Sequence, residues 1–213
     1  MAARAGRLAA AFASYAKIAW WGLVAPRTPL EHKALLIVQA VVLREGEGKG
    51  EGKAEAIGEG RGEGGAPEVL LAVRSDLVGW ELPGGTPEPG EDLEVALVRE
   101  VREETGLDVE ILRHVGDYVR DGFRPHTARV YLCRAVGGAP RVSAETLDVR
   151  WHPAGAPPEE LFPWYRVPLD DALEDRAEPV VRRERQGLAA IWAGMKIDLR
   201  MRLGDGASGP GSK

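Results

Sequence analysis

The stretch GTPEPGEDLEVALVREVREETGL, residues 85–107, decides how this chain folds and what chemistry it can support. From Glu91 to Thr105 it has strong helix formers, acidic residues in its first turn and no internal glycine or proline, which predicts a helix. Gly106 then stands where a left-handed C-terminal cap would lie. Just upstream, the segment WELPGG over residues 80–85 indicates a strand that ends in a tight turn, because proline is followed by paired glycines.

Three glutamates near the end of the predicted helix are unfavourable for local stability. Glu100, Glu103 and Glu104 stand at positions i, i+3 and i+4, so their side chains lie on one face within a single turn. Their charges repel one another, and the C-terminal end of a helix is already negative. Oxygen ligands around a hard divalent cation would turn this repulsion into attraction. The alternative is a solvated acidic helix end, which three glutamates alone would favour.

The spacing of the surrounding residues decides between these interpretations. From Gly85 the chain has five residues, then Glu91, then seven residues, and then REVREETGL over 99–107. This pattern resembles the Nudix box, G-x5-E-x7-R-E-U-x-E-E-x-G-U, with every specified position filled. Seven fixed letters at roughly one chance in fifteen each give about 10⁻⁸ per starting position, so coincidence can be set aside.

The resemblance to the Nudix family implies an α/β (α+β) fold, namely an αβα sandwich with a mixed β-sheet. Apolar runs predict strands at residues 34–43, 69–73, 109–115, 129–136 and 147–152. A last helix is predicted from about Pro179 to about Met195, with an apolar stripe that would pack on the core. Residues 154–168 are rich in proline and are predicted to form an irregular loop.

Composition divides the chain into one domain and its extensions. Residues 31–203 are predicted to form the Nudix-type domain, with a flexible insertion at 44–67 made largely of Gly, Glu, Lys and Arg. Residues 204–213 are predicted to be a disordered tail. For residues 1–30 the prediction is a helical extension docked on the domain. The alternatives are a membrane-surface helix over residues 1–25 and a cleaved signal sequence.

Charge and cysteine content limit the partners of the chain. The 213 residues carry a formal net charge of -5, so there is no basic field that would hold duplex nucleic acid. A phosphate-bearing small molecule remains compatible, because metal ions can screen its charge locally. The single cysteine, Cys133, allows no intrachain disulfide and is predicted to be a buried strand thiol. We expect a cytoplasmic protein that could form a homodimer, as many relatives do.

The resemblance implies a role for each matching residue. The three helix glutamates would bind Mg²⁺ or Mn²⁺ and take part in catalysis, and the backbone carbonyl of Gly85 would join the metal shell. An ion pair between Glu91 and Arg99 would support the loop. The metal would neutralise charge on phosphoryl oxygens and lower the pKa of an attacking water. The expected reaction is hydrolysis of the phosphoanhydride bond in a nucleoside diphosphate linked to another group.

Candidate residues outside the box are less sharply defined. The general base is either a box glutamate or Glu145, which lies in a loop that could face the box, although a plain surface glutamate is the alternative. His126, with Arg120 and Arg124 beside it, could bind phosphate or act as a base, and a loop histidine with a structural partner is its alternative. Arg74, which follows a predicted strand, is a candidate phosphate contact by charge and position.

Three further interpretations stay open at this point. The first is a non-catalytic Nudix-fold nucleotide-binding module, which would keep the fold. A site without catalytic activity, however, has no physical need for an intact set of glutamates. A membrane-apposed hydrolase would use residues 1–25 as an interfacial helix and act on lipid-linked diphosphates. The aromatic segment FPWYR at residues 162–166 could stack a base, whereas a loop that caps the core is the commoner structure for such a segment.

Overall fold

The computed structural model describes residues 35–46, 65–122 and 125–203. Its elements, in chain order, are β1 (Leu35–Gly46), β2 (Gly65–Arg74), β3 (Trp80–Glu81), β4 (Gly84–Gly85), α1 (Leu93–Thr105), β5 (Leu107–Gly122), β6 (His126–Gly138), β7 (Thr146–Pro153), α2 (Pro163–Leu173), β8 (Val180–Gln186) and α3 (Leu188–Leu203).

Several predicted features lie outside the described residues. They are the helical extension, most of the insertion, Arg124 and the tail. Among the helices that the structure does describe, none has the length and hydrophobicity needed to cross a bilayer.

The described strands form one mixed sheet in the order β3-β2-β1-β6-β5-β8. At its centre, β1 runs antiparallel to β2 and parallel to β6. β7 pairs with β2, and β8 lies parallel to β5 at the far edge. The short β4 pairs with β1, so that Gly85 lies opposite Val38 and Gly84 lies opposite Gln39. This last pairing places the glycine turn directly against the central strand.

The sheet is covered by helices on both faces. Val38 and Val42 of β1 pack with Leu97 of α1 on one face. Val41, which points the other way, packs with Leu169 of α2 on the opposite face. Because side chains alternate along a strand, a strand buried on both faces has a continuous apolar sequence. The predicted αβα sandwich with a mixed sheet is therefore confirmed.

Local signals at both ends define the box helix. The side chain of Asp92 accepts hydrogen bonds from the backbone N–H groups of Glu94 and Val95, at 2.9 and 3.2 Å, so Asp92 is the N-cap. At the other end Gly106 has φ of 78° and donates its N–H to the carbonyl of Arg102 at 2.9 Å. The left-handed cap was predicted at this position. It ends α1 at Thr105 and leaves the three glutamates in the last two turns.

The C-terminal region differs from its prediction. Residues predicted to start the last helix instead form β8, whose Val181 lies opposite Asp117 of β5. The predicted apolar stripe is also wrong, because Leu188 and Trp192 are 86% and 60% exposed. The sequence VVRRERQ has no strong helix signal, and the open edge of β5 offers a full ladder of backbone hydrogen bonds. Tertiary pairing thus outweighs helix propensity, and α3 starts only at Leu188.

The proline-rich segment also differs from its prediction, because its second half is helical. α2 starts at Pro163, a position where a missing N–H costs nothing. Pro168 lies inside the helix and cannot donate to the carbonyl of Trp164, four residues earlier. The Nη2 atom of Arg120 donates to that carbonyl at 2.5 Å. A side chain from β5 therefore satisfies the acceptor that the proline leaves free.

Strands β1 and β2 extend into the segment predicted as a flexible insertion. Arg44 lies opposite Glu68, and Gly46 lies opposite Gly65. Arg44 and Glu68 also form an ion pair at 2.7 Å. Backbone pairing and this ion pair stabilise strand structure where apolar side chains are absent. In β6, Cys133 is fully buried and free, as its apolar surroundings indicated.

The cap of α1 gives a first prediction. We expect Gly106→Ala to destabilise the protein by about 1–2 kcal/mol, since an L residue at positive φ is strained. A Cβ there would also lie 2.8 Å from the carbonyl oxygen of Ala139. Gly155→Ala is the matched control, because a Cβ at Gly155 meets nothing within 4 Å. Urea unfolding measures both, and equal stability of the two variants would contradict the proposed cap.

Candidate active site

Acidic side chains from two parts of the chain meet in one pocket beside the C-terminal half of α1, which we call the acidic pocket. It is lined by Arg74, Gly85, Thr86, Glu100, Glu103, Glu104, Ser143, Ala144 and Glu145. The helix supplies three carboxylates, and the loop before β7 supplies the fourth. The pocket thus brings together six residues that the sequence singled out: the three box glutamates, Gly85, Glu145 and Arg74.

Glu104 is the most buried of these carboxylates. It is 5% exposed, and its Oε2 atom accepts a hydrogen bond from the backbone N–H of Gly84 at 2.9 Å. Burial raises the pKa of Glu104 to about 7, and the negative charges of Glu100 and Glu145 add to the effect. The Gly84 hydrogen bond and the charge of Arg74 oppose the rise. The fold therefore holds this carboxylate in a fixed position where burial disfavours its ionised form.

A side chain on Gly84, just before the box, or on Gly85, its first residue, would displace a neighbouring group. A Cβ on Gly85 would lie 2.5 Å from the Oε2 atom of Glu100, so any side chain would displace that carboxylate. Gly84 has φ of 150°, and a Cβ there would collide with the carbonyl oxygen of Val38. Partial burial raises the pKa of Glu100. The bare backbone of Gly85 thus lies directly against a carboxylate of the acidic pocket.

Arg99 connects the box loop to the helix. Its Nε and Nη2 atoms donate to the two carboxylate oxygens of Glu91 at 2.9 and 2.8 Å, which is the predicted ion pair. This pairing lowers the pKa of Glu91 to about 2. The remaining Nη1 atom donates to Glu100 at 3.1 Å and to Glu103 at 3.3 Å. One guanidinium therefore interacts with three carboxylates.

A second pocket, which we call the apolar pocket, lies between β1 and the two C-terminal helices and has a volume of about 210 Å³. It shares Arg74 and Gly85 with the acidic pocket, so the two are neighbours. One wall contains Phe162 and Trp164, whose rings stack with centroids 4.8 Å apart. Gly194 of α3 leaves room for the Trp164 ring, because a Cβ at Gly194 would lie 2.9 Å from Cη2 of Trp164.

The structure places two predicted phosphate contacts in the apolar pocket. Arg120 and His126 line it, and neither lines the acidic pocket. Arg120 is 2% exposed, with its Nη1 atom 3.3 Å from the Nε2 atom of His126. These two residues therefore lie apart from the four carboxylates of the acidic pocket. Phe162 and Tyr165 are buried in the core, so the aromatic segment is mainly a packing element.

Two residues of these pockets were not anticipated from the sequence. Glu81 is buried, its Oε2 atom accepts from the Tyr165 hydroxyl at 3.0 Å, and burial raises its pKa to about 8. Gln39 is also buried and lines the apolar pocket. Each had a signal, because a polar residue interrupts an apolar run: Gln39 in LLIVQAVVL and Glu81 between Trp80 and Leu82.

Comparison with known proteins assigns the family. The NUDIX domain family model matches residues 59–179. The chain belongs to the Nudix family.

Relatives of this Nudix hydrolase agree with the assignment. A MutT-like protein of Streptomyces ambofaciens is 41% identical over 114 residues, covering 53% of this chain and 73% of the relative. A provisionally named 8-oxo-dGTP diphosphatase of Bacillus subtilis is 32% identical over 138 residues, covering 64% of this chain and 89% of that protein. The crystal structure of a Nudix hydrolase from Nitrosomonas europaea has a TM-score of 0.54 at 17% identity, covering 76% of this chain and 85% of its own.

Nudix hydrolases generally use a divalent metal ion such as Mg²⁺, and the acidic pocket has suitable ligands. In the described ranges no three His, Cys, Asp or Glu side chains already stand together as a metal-ligating group. The chemistry nevertheless fits, because carboxylate oxygens are the ligands that hard cations prefer. The space that a Cβ would fill at Gly85 also leaves its backbone open to the pocket. Glu100, Glu103, Glu104 and the Gly85 carbonyl are the residues that would hold the ion.

Burial of Glu104 predicts a pH-dependent stability for this Nudix hydrolase in metal-free buffer. Its folded pKa of about 7 lies above the ordinary value of 4.5, so the folded state binds the proton more tightly than the unfolded chain. The resulting stabilisation is present below the unfolded pKa and is lost as pH rises through the folded pKa. Between about pH 5 and about pH 8, the Tm of wild type should therefore fall more than that of Glu104→Gln.

The control for this experiment is Glu103→Gln, the same substitution at a side chain that is 61% exposed. It should follow the wild-type curve, because solvent screens an exposed charge. If Glu104→Gln and wild type lost stability in parallel across this range, burial of Glu104 would not be the source of the pH dependence.

Proposed function

We propose that this Nudix hydrolase cleaves the phosphoanhydride bond of a nucleoside diphosphate linked to another group, and that it needs Mg²⁺ or Mn²⁺ to do so. The observation that carries the proposal is the direct contact between the two pockets at Arg74 and Gly85. One pocket suits a metal-bound diphosphate and the other suits an organic ring. The Bacillus subtilis relative is named for a diphosphatase that acts on a nucleotide, which supports the same substrate class.

The size of the apolar pocket indicates which part of the substrate enters it. At about 210 Å³ it is smaller than the pockets of roughly 300–1,000 Å³ that enclose drug-sized ligands. A pocket of this size suits a single ring system better than a whole nucleotide. The phosphates would then lie outside it, in the adjoining acidic pocket. A base in one pocket thus places the diphosphate beside the glutamates.

Arg74 provides positive charge where the pockets meet. It is the last residue of β2 and lies opposite Thr146 of β7. Its Nε atom donates to Asp76 at 2.9 Å and lies 3.7 Å from Glu81. Its side chain is 37% exposed, so it can be approached from the pockets. A guanidinium in this place would bind a non-bridging phosphate oxygen and orient the linkage toward the carboxylates.

The chain's own groups divide the catalytic tasks. When bound, the metal ion supplies charge neutralisation and a more acidic water. Glu100 and Glu104 are fixed in place by Arg99 and the Gly84 N–H, and so they define where the ion would lie. Glu145, in the loop before β7, lines the acidic pocket and would accept the proton of the attacking water.

Loss of the box carboxylates tests the proposed reaction. We expect Glu103→Gln and Glu104→Gln to lower kcat by about a hundredfold or more, since each removes a carboxylate that would hold the metal ion. Release of mononucleotide from a panel of nucleoside diphosphate derivatives, with Mg²⁺ added, measures this. Glu110→Gln, at an exposed residue paired with Arg134, is the control and should match wild type. Wild-type turnover by the two box variants would refute the site.

The choice of general base is tested separately. We expect Glu145→Gln to lower kcat by about 10²–10⁴-fold, because amide nitrogen and oxygen cannot take up the proton. Metal affinity, measured by calorimetry, should change little in this variant. A kcat within a few-fold of wild type would instead assign the proton transfer to a box glutamate.

A further inference from the structure

Two residues that line the apolar pocket, Gln39 and Arg120, each have a buried side-chain atom with no hydrogen-bond partner among the described residues, and of these two atoms only Gln39 Oε1 is an acceptor. The Oε1 atom of Gln39 is buried, and the whole residue is only 4% exposed. Buried polar atoms in folded proteins nearly always have a partner, so an orphan requires an explanation. Because Gln39 lines the apolar pocket, a ligand in that pocket is the natural partner.

The position of Gln39 is fixed by the sheet. Its backbone pairs with Gly84 of β4, and its neighbours in β1 pair with β6. Side chains two residues apart share a face of a strand, and Leu35, Ile37 and Gln39 all line the apolar pocket. Gln39 is the member of this row nearest the glycine turn. It therefore lies at the end of the apolar pocket that adjoins the acidic pocket.

We propose that Gln39 determines specificity by accepting a hydrogen bond from an N–H group on the edge of the substrate's nucleobase. This inference rests on the proposed function, because it takes the ring in the apolar pocket to be a base. The ring of Trp164, which is only partly buried and lines the pocket, would favour any flat ring. The Gln39 amide adds a polar requirement that a hydrocarbon ring, or a base without an N–H group, does not meet.

Burial of Gln39 Oε1 explains why the pocket would prefer a ligand with an N–H group over one without it. When the ligand has no N–H group at this position, Gln39 Oε1 stays buried without a partner. A site built to bond a polar group rejects an otherwise similar ligand that lacks that group more strongly than an apolar site can. We therefore expect the preference between two such ligands to be about tenfold or more.

Calorimetric binding of two nucleoside monophosphates tests the inference without turnover or metal. Guanosine 5′-monophosphate has N–H groups on its base, whereas purine riboside 5′-monophosphate has none and keeps the same sugar and phosphate. Wild type should bind the guanine nucleotide about tenfold more tightly or better. Gln39→Met, which keeps the length of the side chain, should remove this preference by weakening the guanine nucleotide alone.

The control is Glu110→Gln, at an exposed residue that lines neither pocket. It should keep the wild-type preference, because it does not alter the acceptor beside the glycine turn. The inference is overturned if wild type shows no preference, if neither nucleotide binds, or if Gln39→Met keeps the preference.

The outcomes also separate this inference from the proposed function. Hydrolysis with a preference that does not depend on Gln39 would refute only the role of Gln39. A preference that depends on Gln39, in a protein that hydrolyses no diphosphate, would refute only the proposed reaction. The thermal unfolding curve of Gln39→Met shows whether the variant is folded, and the wild-type comparison of the two nucleotides does not need the variant at all.

Discussion

The hydrogen bond from the backbone N–H of Gly84 to the buried carboxylate of Glu104 is the interaction on which both pockets depend. It joins the end of α1 to the glycine turn. The two glycines of that turn pair with Val38 and Gln39 of β1. A buried carboxylate without such a partner would be strongly destabilising. This one contact therefore fixes the distance between the helix that supplies the acidic groups and the strand that forms the floor of the apolar pocket.

The same contact holds a carboxylate in a place that lowers the stability of the folded protein. Glu104 is held where its charge is disfavoured, as its raised pKa of about 7 shows. Glu100 is close to it, and the Arg99 guanidinium donates to both Glu100 and Glu103. Local rules would place basic residues at this helix end. Sequences that break local rules this densely generally do so for function, and a bound cation is the simplest compensation.

Local chemistry made some features predictable from the sequence. The box spacing, the Asp92 and Gly106 caps and the apolar runs specify α1 and the main strands through interactions between near neighbours. β8 could not be predicted, because its residues pair with an edge of β5 that lies more than sixty residues earlier. The helical half of the proline-rich segment also depends on a distant partner, since Arg120 satisfies the carbonyl that Pro168 leaves free.

The candidate site likewise has features that local sequence predicts and features that depend on distant parts of the chain. The acidic residues of the box were predicted because their spacing is a local pattern, whereas the second pocket exists only once β1, α2 and α3 are packed together. The polarity of Gln39 was visible in the sequence, but its orientation depends on register with Gly84. For the same reason Arg120 and His126 were assigned to phosphate from their charge, although they lie in the wall of the apolar pocket.

The central claim is that repulsion among the carboxylates around Gly84 and Gly85 is maintained in order to hold a divalent cation. Titration of the metal-free protein with Mn²⁺ or Mg²⁺ in a calorimeter tests it most directly. Saturable uptake by wild type that disappears in a Glu100→Gln, Glu104→Gln double variant, while the variant remains folded, is the predicted result. Identical binding curves for wild type and the folded double variant would contradict it.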